Sequence, residues 1–156
     1  MNSLKVEILK QYSEKDAEEL GILLKDLSPN FNGKPVEKKL LETIINSPDR
    51  AQLVARLEDP NFEPRIRIVG AASLNITMGI GAGVKGYLED FVTDSNVQRQ
   101  GVGSAMWEEM MIWFSEKDAT YLNFTSHSSR VAAHKFYFSK GAETETTPFK
   151  VAVKRP

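Results

Sequence analysis

The chain has 156 residues, 41% apolar and 26% charged, with a net charge of −1, which suits one soluble folded domain and gives no electrostatic footprint for nucleic acid or an anionic membrane. It has no cysteine and only two histidines, His127 and His134, which excludes disulfides and a cysteine nucleophile and leaves a thiolate- or histidine-rich metal site without ligands. No apolar run approaches the ~20 residues of a membrane span and no signal peptide opens the chain, so no membrane partner is expected and the expected compartment is the cytoplasm.

In chain order, residues 4–11 set Val6 and Ile8 against Lys5 and Glu7 and predict a first strand. Ser13 is placed to cap a helix carrying Ala17, Leu20, Leu23, Leu24 and Leu27. After a loop at 28–33, a second helix is predicted from about Pro35 through Leu40, Leu41, Ile44 and Ile45, stopping before Pro48. Residues 52–57 and 65–76 read as two strands of a hairpin around a polar turn with two prolines. Glycines 79, 81, 83 and 86 then suggest a flexible connection.

Residues 87–93 are aromatic and β-branched and predict a central strand. A polar turn leads to Gly101 and Gly103 and to a helix ending near Lys117 whose Val102, Ala105, Met106, Met110 and Trp113 make a wide apolar face. Beyond it lie a strand at 119–125 and a helix at 130–140, with Ser128 or Ser129 as cap and Gly141 closing it. A last hairpin is predicted from 143–147 and 149–154 around Pro148. The order β-α-α-β-β-β-α-β-α-β-β implies an α/β (α+β) fold, a mixed sheet with helices on both faces, and no linker divides residues 1–156.

The strand-to-glycine-helix junction is the chemical signal. Free N–H groups at a helix start attract anions, phosphate above all, and glycine lets the backbone come close to them. The sequence fits neither commonest phosphate loop. Val102-Gly103-Ser104 follows Gly101 where a P-loop needs Lys-Ser or Lys-Thr, and Met106 stands where a dinucleotide fingerprint needs glycine.

What remains, Gln98-x-x-Gly101-x-Gly103, resembles motif A of the GCN5-related N-acetyltransferases. Ala133, Phe136, Tyr137 and Gly141 match the spacing of that family's motif B, and Glu89-Asp90 opens a strand like the one that runs into its motif A. The resemblance spans nearly the whole chain and implies a single-domain, mostly antiparallel sheet flanked by helices. It implies acetyl-CoA as co-substrate without a metal, and direct acetyl transfer to a primary amine of a small molecule: an amino acid, polyamine or amino sugar. The rival readings are acetylation of protein or peptide N-termini, or an acyl-CoA sensor without catalysis. A homodimer is expected by analogy alone.

Residue by residue, the resemblance implies Tyr137 as the acid facing the coenzyme sulfur and Glu89 as the base, with Asp90 exchanging with it if the strand bulges. The backbone of Phe91, Val92 and Thr93 would bind the pantetheine arm, and Gln98, Arg99, Gln100, Gly101, Val102, Gly103 and Ser104 would wrap the pyrophosphate. Gln98 replaces the family's commoner arginine, Arg99 a frequent glycine, Arg130 the asparagine of motif B, and Ala142 the phenylalanine after its glycine. His127 and His134 are alternative bases by chemistry, but solvated helix-side positions suit both better.

Overall fold

Five strands form one sheet in the order β1-β2-β3-β4-β5, antiparallel up to β4 and parallel between β4 and β5. The computed structural model describes residues 2–154. By backbone contacts the chain divides into two units, Met1–Asn123 and Phe124–Pro156.

The first unit holds β1 (Ser3–Ile8), α1 (Glu14–Leu23), α2 (Lys38–Asn46), β2 (Arg50–Glu58), β3 (Ile66–Gly79), β4 (Gly83–Thr93), α3 (Val102–Glu116) and β5 (Leu122–Asn123). Ser13 caps α1 as expected, its hydroxyl accepting from the Asp16 N–H at 3.1 Å. Leu24–Asp26 continues α1 as a 3₁₀ turn. Three residues of the α2 start read from Pro35 remain outside the helix, which begins at Lys38. The Val36 N–H is instead taken by the Ala17 carbonyl at 3.0 Å, tying that segment to α1.

On one face of the sheet, Ala17, Leu20 and Leu41 pack with Val54, Ala71 and Val92 of β2, β3 and β4. Each large apolar side chain buried there contributes ~1.5–3 kcal/mol. Helix α3 covers the other face with Val102, Met106, Met110 and Phe114 at i, i+4, i+8 and i+12. That approach needs glycine at two strand positions. A Cβ on Gly70 would meet the Met106 sulfur and, at 3.2 Å, Val102, and one on Gly86 would lie 2.6 Å from the Phe114 ring.

Arg56 ties β1, α1 and β2 together. Its Nε donates to Glu7 at 2.8 Å, and Nη1 and Nη2 clamp the buried Asp16 carboxylate at 2.8 and 3.0 Å. Burial opposes the charge on Asp16, yet the hydrogen bonds and charge of Arg56 outweigh it and hold the carboxyl below its ordinary range.

Two further stretches differ from expectation. The glycines at 79–86 do not make a loose connection: Gly79 pairs with Gly83, and β3 and β4 join through a tight turn. Gly83 at φ 70° supplies the left-handed residue that short hairpin loops require. The strand expected at 119–125 shrinks to Leu122–Asn123, because the ladder with β4 ends at Tyr87↔Asn123.

The second unit contains α4 (Val131–Ser139). Its cap is Arg130 without a side-chain bond, not Ser128 or Ser129. The Ser129 N–H donates to His127 Nδ1 at 3.2 Å, with the Ser129 hydroxyl 2.7 Å from the same nitrogen. Gly141 ends the helix as expected, at φ 87°. The Gly141 N–H reaches the Phe138 carbonyl and the Ala142 N–H the Tyr137 carbonyl, a Schellman closure. The final hairpin does not form: no strand follows α4 among the described residues, and Phe149, Val151 and Val153 are exposed. Strand-like alternation makes a strand only where a neighbour takes up its N–H and C=O groups.

Candidate active site

The β3–β4 register slips between Ala71 and Ser73: Ala71 faces Val92, while Ser73 faces Glu89. One extra residue of β4 is therefore accommodated, and Asp90 carries it at φ 53°. Aspartate tolerates this left-handed region better than most residues, but holding it there still costs ~1–3 kcal/mol. The strand does bulge, a possibility the sequence left open, but the bulge does not put Asp90 in the place of Glu89; it decides the parity of the strand the other way. Counting back from Val92, a regular strand would set Asp90 opposite Ser73; the bulge sets Glu89 there.

Glu89 is exposed. Asp90 is also exposed by accessible area, yet enough protein surrounds its carboxyl that desolvation pushes it above the ordinary range. Phe91 follows the bulge, buried and edge-on to Trp107 at 6.2 Å. Val92 is buried in the opposite face and Thr93 is half-buried.

After β4 the chain turns through a 3₁₀ segment, Ser95–Val97, into α3. Both sides of this turn are anchored. The Asp94 carboxylate accepts from the Asn96 N–H at 2.8 Å and from Arg67 Nη2 at 3.0 Å, and Arg67 lies 3.7 Å over the Phe62 ring. The Asp26 carboxylate accepts from the Ser95 N–H at 3.0 Å and its hydroxyl at 3.3 Å.

Beyond these anchors Gln98, Arg99, Gln100 and Gly101 are exposed, with left-handed backbone at Arg99 (φ 65°) and Gly101 (φ 79°). Alternating hands of this kind turn successive N–H groups toward one side, an anion-binding concavity. Gly101 is the N-cap of α3 and gives no side-chain bond. The first intrahelical bond runs from Ala105 to the Gly101 carbonyl, so no helical carbonyl takes the N–H groups of Val102, Gly103 and Ser104. No acidic residue sits in this first turn, and a Cβ on Gly101 would point into open space. The structure thus offers what a diphosphate needs: fixed donors, a helix dipole and room.

In the second unit Tyr137 is buried, its ring 4.6 Å from that of Phe124 and 5.8 Å from that of Phe136. Burial pushes its hydroxyl above the usual phenol value, and the charge of Arg130 offsets only part of that. His134 Nε2 lies 3.1 Å from the Ser126 hydroxyl. Each histidine thus engages a neighbouring serine.

Two features escaped the sequence reading. One is the pair of anchors, Arg67–Asp94 and Asp26–Ser95, which join residues far apart in the chain. The other is a polar row across the sheet. Gln52, Ser73 and Glu89 face one another on β2, β3 and β4, on the same face as Val54, Ala71 and Val92. Gln52 is buried, its Nε2 donating to the carbonyls of Ala72 at 3.1 Å and Leu53 at 3.3 Å, and its Oε1 accepting from the Ser73 hydroxyl at 2.9 Å. The signal was Ser73-x-Asn75-x-Thr77, a period-two polar run in what proves to be the middle strand of five.

The sequence pattern of the acetyltransferase (GNAT) family matches residues 17–141. No curated protein sequence matches the chain. Many solved structures share the fold, three of them as follows. A Trypanosoma brucei acetyltransferase is 22% identical, with 97% of this chain and 100% of that one covered and a TM-score of 0.72. An aminoglycoside acetyltransferase from an uncultured soil metagenomic sample, in complex with sisomicin, is 22% identical, with 97% of each chain covered and a TM-score of 0.75. An aminoglycoside N-acetyltransferase in complex with CoA is 17% identical, with 100% of this chain and 97% of that one covered and a TM-score of 0.73.

Proposed function

This chain belongs to the acetyltransferase (GNAT) family, and from that premise we propose that it transfers an acetyl group from acetyl-CoA directly to a primary amine of a small molecule. The observation that carries the reading is the first turn of α3, whose Val102, Gly103 and Ser104 amides stand open behind left-handed Gly101. The CoA bound to one neighbour of the same fold, and the sisomicin bound to another, agree with the two halves of the reading.

The chain's own groups account for each need of the reaction. The Gln98–Ser104 backbone grips the diphosphate, and the outer edge of β4 at Phe91, Val92 and Thr93 takes the pantetheine arm as an added strand. Bound acetyl-CoA supplies the thioester. A backbone N–H of this edge polarises the acyl oxygen and stabilises the oxyanion formed when the amine lone pair attacks the carbonyl carbon. Glu89 takes the ammonium or amine proton, directly or through water, because an ammonium near pKa ~10 is no nucleophile at neutral pH. As the C–N bond forms and the C–S bond breaks, Tyr137 gives its proton to the departing thiolate. Its raised hydroxyl pKa keeps that proton in place until then.

Differential scanning fluorimetry tests the binding half. A ligand at a hundred times its Kd stabilises by ~2.7 kcal/mol, so saturating acetyl-CoA should raise the melting temperature by several degrees. A Gly101→Val variant should lose that rise. Thiol release across a panel of amines tests the transfer. Tyr137→Phe should then lower kcat by ~10²–10⁴ while coenzyme affinity holds. Glu89→Gln should remove the acidic limb of the pH–rate profile; if Asp90→Asn removes it instead, the base is the bulge residue.

A further inference from the structure

The polar row beside the bulge has a direction to its hydrogen bonds, and that direction selects a ligand chemistry. The Gln52 amide is oriented by two main-chain carbonyls, so its oxygen, not its nitrogen, faces Ser73. The Ser73 hydroxyl spends its one proton on that oxygen. Ser73 is thereby left with lone pairs alone toward anything that lies on the row. Glu89, its neighbour on β4, is acceptor-only when ionised. In the next row Asn75 gives one Nδ2 hydrogen to the Tyr87 carbonyl at 3.4 Å, and Arg50 at its β2 end is a donor. Asn123, paired with Tyr87, has a buried Oδ1 without a hydrogen-bond partner among the described residues. Exposure rises along the first row, from buried Gln52 through half-buried Ser73 to open Glu89.

We propose that this row is the floor of the acceptor site and that its one-signed acceptor array selects a donor-rich, carboxylate-free amine, of the diamine or amino-sugar class, over an amino acid. The inference rests on the transfer reading above and narrows it, with Ser73 as the specificity-determining residue. A second ammonium or a hydroxyl donates to Ser73 while the reacting nitrogen lies by Glu89. A carboxylate in the same place would set acceptor against acceptor, with like charge beside Glu89. Among the strand residues of the adjoining rows on this face, the cations are Arg50, at the β2 end of the neighbouring row, and Lys85, paired with Thr77 one row further out.

The test is thiol release with a matched set: 1,4-diaminobutane, 4-aminobutanoate and 1-aminobutane, which differ only in what the far end carries. The diamine should exceed both others by about tenfold or more in kcat/KM, the scale of one hydrogen bond between a charged and a polar group. Ser73→Ala should raise KM for the diamine about tenfold, leave that for 1-aminobutane and for acetyl-CoA unchanged, and be rescued by Ser73→Thr, which keeps the hydroxyl. Equal or better use of 4-aminobutanoate overturns the inference, most sharply if Arg50→Ala removes it, and so does a diamine KM indifferent to Ser73→Ala. In either case the transfer reading survives. Absence of both thiol release and an acetyl-CoA melting shift sinks the two together.

Discussion

Val54, Ala71 and Val92 lie side by side across β2, β3 and β4, and the next row on the same face is Gln52, Ser73 and Glu89. On β2 and β3 the two rows share one regular pleat, and on β4 the bulge at Asp90 lies between them. The first row is sealed beneath α1 and α2, and none of its members is more than 3% exposed. The second begins under cover at Gln52 and ends in the open at Glu89. A buried amide costs ~1–3 kcal/mol unless its bonds are met, and the first row shows that this sheet packs well without one. The polar row is therefore not a requirement of folding, and the contrast separates the part of the face that makes the protein stable from the part available for recognition.

The contrast is broken if the two rows respond alike to substitution. Leu41→Ala strikes the sealed half, where the side chain is 1% exposed, and should show the largest effect, a loss of ~2–5 kcal/mol. Chemical denaturation reads it, while kcat/KM per folded molecule should stay unchanged. Gln52→Leu strikes the polar half with nearly the same volume. It frees the Ser73 hydroxyl to rotate and donate, so the acceptor KM should rise while stability moves by less than ~1.5 kcal/mol. A Gln52→Leu variant that unfolds, or a Leu41→Ala variant that changes amine preference, removes the distinction.

Sequence carried the local features of this molecule and missed those set by pairing. The Ser13 cap, the α3 stripe through Val102, Met106 and Met110 and the Gly141 closure each depend on residues within a few positions of one another. Gly101 before a helix was legible for the same reason. The row of Gln52, Ser73 and Glu89 exists only once two registers are known, and a single-residue slip would dissolve it. The bulge could be anticipated from family resemblance, but nothing in Glu89-Asp90-Phe91 says which of the three takes the left-handed conformation. Four glycines between 79 and 86 read as looseness because their pairing was invisible, and residues 143–154 read as strands because their lack of pairing was.

The remaining effects concern charge, and here the two regions should differ in sign. Asp16, beside the sealed core, has its folded pKa lowered by Arg56 against the opposing pull of burial. Such a group contributes stability that is present above its unfolded value near 3.8 and lost as pH falls through the folded value. Asp16→Asn should cost about 3 kcal/mol at pH 7, because it leaves part of the Arg56 charge unmatched, and the loss should shrink below pH ~4 as wild type loses the same bond. Asp90, at the bulge, is raised by desolvation. Its charged form is the worse one in the folded chain, so its contribution runs the other way: stability falls as pH climbs from the unfolded value through the folded one. Asparagine tolerates the left-handed backbone at least as well as aspartate and carries no charge. Asp90→Asn should therefore leave the melting temperature at pH 7 unchanged or slightly higher. A carboxylate whose removal relaxes the fold is what a residue kept for ligand contact should look like. A clear drop in melting temperature for Asp90→Asn would instead return the bulge to the architecture of the sheet.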